Sequence, residues 1–147
     1  MRIYLDACCF SRLTDDQSQS RVRGEAEAVE AILRTVREGR ATWVASPILN
    51  VEVNRNPDED QRRETEELLS FADEIAIPDG AAADRARHLE KFGFSPFDAL
   101  HLACAEQGGA DVLLTTDDRF LRCADRSHGL LRIRVENPVS WYKEAQL

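Results

Sequence analysis

Val112-Leu113-Leu114-Thr115-Thr116-Asp117 decides the fold. An apolar run without polar alternation, followed at once by hydroxyls and an acid, reads as a strand buried on both faces. Such strands belong to parallel sheets covered by helices. The acid then stands at the strand's carboxyl end, where open parallel sheets bind ligands. Arg2-Ile3-Tyr4-Leu5-Asp6 repeats the arrangement near the N-terminus, with Asp6 closing a short buried strand.

Working outward, a polar loop after Asp6 leads to a helix over about 22–38. Val22, Ala26, Val29, Ile32, Leu33 and Val36 share one face at helical spacing, and Gly39 is a natural stop. Thr42-Trp43-Val44-Ala45 reads as the second strand. Ser46-Pro47 then offers an N-cap followed by proline in the first turn. Leu49 to Asn54 alternates as a strand would, but that cap favours helix, and helix is the reading adopted. Asn56-Pro57 ends it. Asp58-Glu59-Asp60 opens a helix running to about Ala72, with acids where the dipole favours them. Glu74 to Ile77 is the third strand. Asp79 caps a helix reaching Phe92, and Ser95-Pro96-Phe97-Asp98 starts one ending near Gly108-Gly109. A short helix to about Ala124 follows the fourth strand, Val112 to Thr115. Leu131 to Val135 is the last strand, and Asn137-Pro138 leads into a C-terminal tail.

Strands alternating with helices imply an α/β fold: three layers around a parallel sheet of about five strands. The 147 residues suit one domain over 1–147. No linker, repeat, signal peptide or membrane-length apolar run is visible, so a cytoplasmic location with no membrane partner is expected. Cys8, Cys9, Cys104 and Cys123 show no zinc spacing and read as free, buried thiols; a redox role for the Cys8-Cys9 pair is the sharper alternative. The net charge of −8 argues against a general polyanion binder, yet leaves room for carboxylates that hold cations.

Asp6, Glu52, Asp98 and Asp117 all fall at the start of elements leaving carboxyl ends of strands, or leading towards them. Right-handed crossovers can bring them to one edge of the sheet. Two carboxylates about 4 Å apart repel by on the order of 4 kcal/mol near a protein surface, so such a cluster calls for protons or cations. Hard oxygen ligands suit Mg²⁺ or Mn²⁺, which promote phosphodiester hydrolysis. Each acid also has a plainer reading. Asp6 and Asp117 can cap turns or helices, Glu52 can be a solvated helix residue, and Asp98 fits a capping box with Ser95. His101, one turn beyond Asp98, reads first as a satisfied, partly buried histidine and second as a catalytic group. Arg12, Arg55 and Arg119 lie near these acids in sequence and are candidate phosphate contacts.

Those same residues carry a resemblance. Ile3-Tyr4-Leu5-Asp6, Glu52 after Ser46-Pro47, Asp98-Ala99-Leu100-His101-Leu102-Ala103 and Leu114-Thr115-Thr116-Asp117-Asp118-Arg119-Phe120 are similar to PIN-domain proteins, especially VapC-like toxins. The resemblance implies a five-stranded parallel sheet and a divalent-metal ribonuclease. Asp6, Glu52, Asp98 and Asp117 would be its catalytic acids and Mg²⁺ or Mn²⁺ ligands, with water as nucleophile. It assigns the hydroxyl after the last acid-bearing strand to Thr115, with Thr116 as the fallback. For the toxin branch it implies a small antitoxin partner and a homodimer. One departure stands out: the usual hydroxyl residue directly after the first Asp is Ala7, which puts in doubt one hydrogen bond behind the ligand.

Rival acidic pockets fit less well. A receiver domain needs a lysine near the end of its last strand, where Glu136-Asn137 stands here. A haloacid-dehalogenase-like phosphatase needs a second Asp at position 8, which is Cys8. The remaining alternative is a catalytically weak PIN-fold module that binds nucleic acid or a partner.

Overall fold

Five short strands, β1 (Arg2–Leu5), β2 (Thr42–Ala45), β3 (Glu74–Ile75), β4 (Val112–Leu114) and β5 (Arg134–Glu136), pair in parallel in the order β3-β2-β1-β4-β5. The computed structural model describes residues 1–145. Ile3, Tyr4 and Leu5 of β1 and all of β4 are buried, so both faces of the central strands are covered. That is the three-layer α/β/α arrangement expected from their unbroken apolar character.

The helices are α1 (Ala7–Thr14), α2 (Ser20–Arg37), α3 (Pro47–Asn54), α4 (Glu59–Leu69), α5 (Gly80–Glu90), α6 (Pro96–Gln107), α7 (Asp118–Arg126) and α8 (Pro138–Ala145). The chain leaves β1 towards β2 on one side and later returns to β4 on the other. The strand order therefore reverses between β1 and β4, and a crevice must open at their carboxyl ends. Asp6 follows β1 and Asp117 lies just beyond β4. Close packing defines this edge: Phe94, before α6, meets Phe120 of α7 edge-on with centroids 5.9 Å apart. At the far end of α6 the chain turns on Gly109 at φ 71°, and a side chain on Gly108 would lie 2.8 Å from Val44 Cγ1.

Four expectations need correction. The polar loop after Asp6 is instead helix α1. Asp6 caps it, and Cys9 and Phe10 anchor it, with Phe10 against Trp43 at 5.7 Å. Two cysteines and a phenylalanine are indifferent helix formers, so packing rather than propensity makes this helix. The third strand stops at Ile75 as a ladder strand. Its partner β2 ends at Ala45, whose carbonyl takes a last bond from Ala76. The last strand begins at Arg134, not Leu131, because β4 offers no partner before Val112. The expected tail is helix α8 as far as residue 145; its last two residues lie outside the described ones. Asn137 accepts from the Val139 N–H at 2.8 Å, Pro138 occupies the first turn, and Trp141 is buried.

Candidate metal centre

Asp6 leaves β1 in extended conformation and is almost fully buried. Its N–H bonds the Leu114 carbonyl at 2.9 Å, which ties it to β4. One carboxylate oxygen, Oδ1, accepts from the Ala7 N–H at 2.8 Å. The other accepts from Thr115 Oγ1 at 2.8 Å and from the Cys8 thiol at 3.4 Å. The hydroxyl that Ala7 lacks thus has a counterpart one residue later: Cys8 donates to Asp6 and accepts the Thr116 N–H at 3.3 Å. Burial and the Glu52 charge still raise the Asp6 pKa, despite relief from His101, Thr115 and Cys8.

Ser46-Pro47 starts α3 and brings Glu52 inward on its second turn. Glu52 Oε1 hydrogen-bonds His101 Nε2, which also lies 3.6 Å from Asp6 Oδ1. His101 is wholly buried, not partly. Its Nδ1 is 2.6 Å from the Tyr4 hydroxyl, itself 2.6 Å from Ser46 Oγ. Burial lowers the imidazole pKa, but the bond to Glu52 and the charges of Asp6, Glu52 and Asp98 outweigh it, and the net shift is upward. One ligand atom each from Asp6, Glu52 and His101 falls within 4.8 Å of the others. From the sequence, His101 reads first as a satisfied, partly buried histidine and only second as a catalytic group. Its spacing of three from Asp98 was the one available signal.

Asp98 and Asp117 are not part of that close trio. With Glu52, Phe97 and Arg119 they line a cavity of ≈ 240 Å³. Asp98 does take part in a cap, its N–H donating to Ser95 Oγ at 3.2 Å, while burial and the charges of Asp6 and Asp117 push its carboxyl up to about 6. Asp117 also caps: Oδ1 accepts from the N–H groups of Arg119 at 2.9 Å and Phe120 at 3.3 Å. Its own N–H donates to Thr115 Oγ1 at 3.1 Å. Thr115 therefore touches both Asp6 and Asp117. Thr116 contributes only backbone here, and its buried Oγ1 has no partner among the described residues. Capping and facing the cavity are compatible roles, because a cap occupies one oxygen of a carboxylate or only the backbone.

The three arginines differ. Arg12 is engaged with Glu25 at 2.8 Å and Asp15 at 2.9 Å. Arg55 lies over the Phe97 ring at 4.7 Å. Arg119 lines the cavity beside the acids.

A profile of the PIN domain family matches residues 3–126. The chain belongs to the PIN domain family. Two solved structures share its fold. One is a chain of VapBC2 from Rickettsia felis bound to a DNA fragment from their promoter, with a TM-score of 0.58 at 15% identity over 93% of this chain and 98% of that one. The other is a chain of VapBC-1 from nontypeable Haemophilus influenzae, with a TM-score of 0.57 at 15% identity over 94% and 98%. A comparison with curated proteins returns no match. This PIN domain gathers carboxylate oxygens beside one imidazole; burial first, and neighbouring carboxylates second, raise the pKa values of Asp6 and Asp98 against the opposing pull of His101. The carboxylate oxygens fit a divalent cation of the Mg²⁺ or Mn²⁺ type, while both His101 nitrogens are already engaged, by Tyr4 and by Glu52.

Proposed function

We propose that this PIN domain is a divalent-metal-dependent endoribonuclease and the toxin of a toxin–antitoxin pair. The observation that carries the reading is the gathering of acids at the β1/β4 switch point, where Asp6 and Glu52 meet at His101 and Glu52, Asp98 and Asp117 line one cavity. Family membership supports nuclease chemistry, and the two VapBC neighbours support a toxin with a small antitoxin partner. The homodimer remains part of the same proposal.

In this reading Asp6, Glu52, Asp98 and Asp117 hold Mg²⁺ or Mn²⁺. Held there, such a cation would supply Lewis-acid polarisation of the phosphodiester and would make an attacking water more acidic. The chain's own residues set the stage. Thr115 links Asp6 to the Asp117 backbone and so keeps the ends of β1 and β4 in register. Cys8 steadies the second Asp6 oxygen. His101, bound to Tyr4 on one side, holds Glu52 towards Asp6 on the other. Arg119 stands where an RNA phosphate entering the cavity passes it. Arg12 contributes through Glu25 rather than by reaching the substrate.

Cleavage of a defined RNA pool, with Mn²⁺, with chelator, and with Asp6→Asn in parallel, tests this. Cleavage that requires both the metal and Asp6 is expected. Mn²⁺ binding without RNA cleavage would contradict the enzyme and favour a PIN-fold binding module.

A further inference from the structure

The ≈ 240 Å³ cavity is smaller than the roughly 300–1,000 Å³ of ordinary small-molecule pockets. In the ribonuclease reading the reacting phosphate sits in this cavity, and the nucleosides on either side of it lie along its rim. On the α3–α6 side that rim carries Phe97, half-buried and lining the cavity, with the exposed Arg55 guanidinium 4.7 Å from its ring centroid. Position ties both residues to the acids. Arg55 closes α3 three residues after Glu52, and Phe97 immediately precedes Asp98 in the first turn of α6.

Such a pair stabilises the free protein little, because an exposed cation–aromatic contact is weak. Nearby arginines that serve the fold look different: Arg12 and Arg21 are held by carboxylates. Aromatic rings and guanidinium planes are the surfaces on which proteins stack unpaired bases. We propose that Phe97 and Arg55 form a stacking step for the nucleobase next to the scissile phosphate. The step selects single-stranded or looped RNA, whose bases are free to leave their neighbours. This inference rests on the ribonuclease reading above and adds a specificity determinant to it.

The test couples a protein change to an RNA change. A single-stranded RNA that the wild type cleaves is resynthesised with an abasic ribose at either nucleotide flanking the mapped cut. The full chain and its Phe97→Ala, Phe97→Tyr and Arg55→Ala variants are compared by kcat/KM in Mn²⁺. Removing one flanking base is expected to slow the wild type by roughly 10- to 100-fold. Phe97→Ala is expected to lose a similar factor on the intact RNA and nothing further on the abasic one. Phe97→Tyr should retain most of the activity, and Arg55→Ala should show a smaller loss that also disappears on the abasic RNA. Equal loss by Phe97→Ala on both RNAs, or no loss on either, overturns the stacking step while leaving the nuclease intact. A wild type that cuts no RNA overturns both. Equal loss counts against stacking only in a Phe97→Ala protein that melts like the wild type; if Phe97→Ala melts early, Arg55→Ala, on an exposed residue, decides in its place, and equal loss by Arg55→Ala on both RNAs, or none on either, overturns the step.

Discussion

Asp6 and Glu25 are both almost fully buried carboxylates, and they keep opposite company. Glu25 is met by Arg12 at 2.8 Å, by Arg21 at 3.5 Å and by the Asn137 amide at 2.6 Å. Arg21 continues to Asp118 at 2.7 Å and to the Thr116 carbonyl at 3.1 Å, so this centre ties α1, α2, α7 and the start of α8 together. Glu106 is a second case, clamped by Arg85 at 2.8 Å. Asp6, in contrast, has Glu52 and Asp98 as charged neighbours and His101 Nε2 3.6 Å away, and burial with the Glu52 charge raises its pKa. Where burial serves the fold, the charge is matched; a buried pair broken on one side is costly. Where charge is left unmatched inside a protein, the site is set up for a ligand of opposite sign. The contrast sets a charge-matched structural carboxylate beside the proposed metal ligand.

The contrast breaks most visibly in activity. Asp6→Asn is expected to lower Mn²⁺-dependent RNA cleavage by at least roughly 10²–10³-fold, as removal of a main electrostatic element does. The metal-free protein should be as stable as the wild type or more so, because one repelling charge has gone. A urea denaturation series checks the second half, and a clearly destabilised Asp6→Asn would place Asp6 among the structural carboxylates.

Glu25→Ala is expected to do the reverse. It should cost about 2–3 kcal/mol, below the usual figure for a broken buried pair, because Arg12 and Arg21 are partly exposed and keep Asp15 and Asp118. The urea midpoint should fall with an unchanged m-value.

The pH dependence sharpens the comparison further. Between its ordinary 3.8 and about 6, the folded protein keeps on Asp98 a proton that the unfolded chain releases. Stability from this source is complete below about 3.8 and is lost as pH rises through 6. Asp6 and His101 shift in the same direction. In chelator, Asp98→Asn is therefore expected to gain on the wild type as pH rises from 4 to 7, and saturating Mn²⁺ should reverse that trend. Parallel stability curves for the two proteins in chelator would contradict it.

Cys8→Ser should have the smallest effect, within about 1 kcal/mol of wild-type stability, because a hydroxyl can make the same bonds to Asp6 and the Thr116 N–H. Cys8→Ala should lower metal affinity by more than Cys8→Ser does, read by Mn²⁺ titration.

Much of the fold was legible in the sequence because β1, β2 and β4 are unbroken apolar runs and Gly39, Ser46-Pro47 and Ser95-Pro96 punctuate the helices. Helix α1 escaped because its stability comes from Cys9 and Phe10 packing on the sheet, which no local signal carries. Helix α8 escaped although its signal is local: Asn137-Pro138 is itself a helix start, yet in sequence it reads as leading into a tail. The placement of Asp6 and Asp117 follows from strand ends alone. The burial of His101 between Tyr4, Ser46 and Glu52 depends on three separate elements meeting, and local spacing hints at it without requiring it.

The central claim is that the unmatched acids around Asp6 hold a divalent cation. Calorimetric titration of the metal-free protein with Mn²⁺, run on the wild type, Asp6→Asn and Glu25→Gln, tests it most directly. Saturable binding by the wild type and by Glu25→Gln, none by Asp6→Asn, and a matching rise in melting temperature worth about 2.7 kcal/mol at a hundredfold excess over the dissociation constant are expected. Equal Mn²⁺ binding by wild type and Asp6→Asn, or no binding by the wild type, would contradict it.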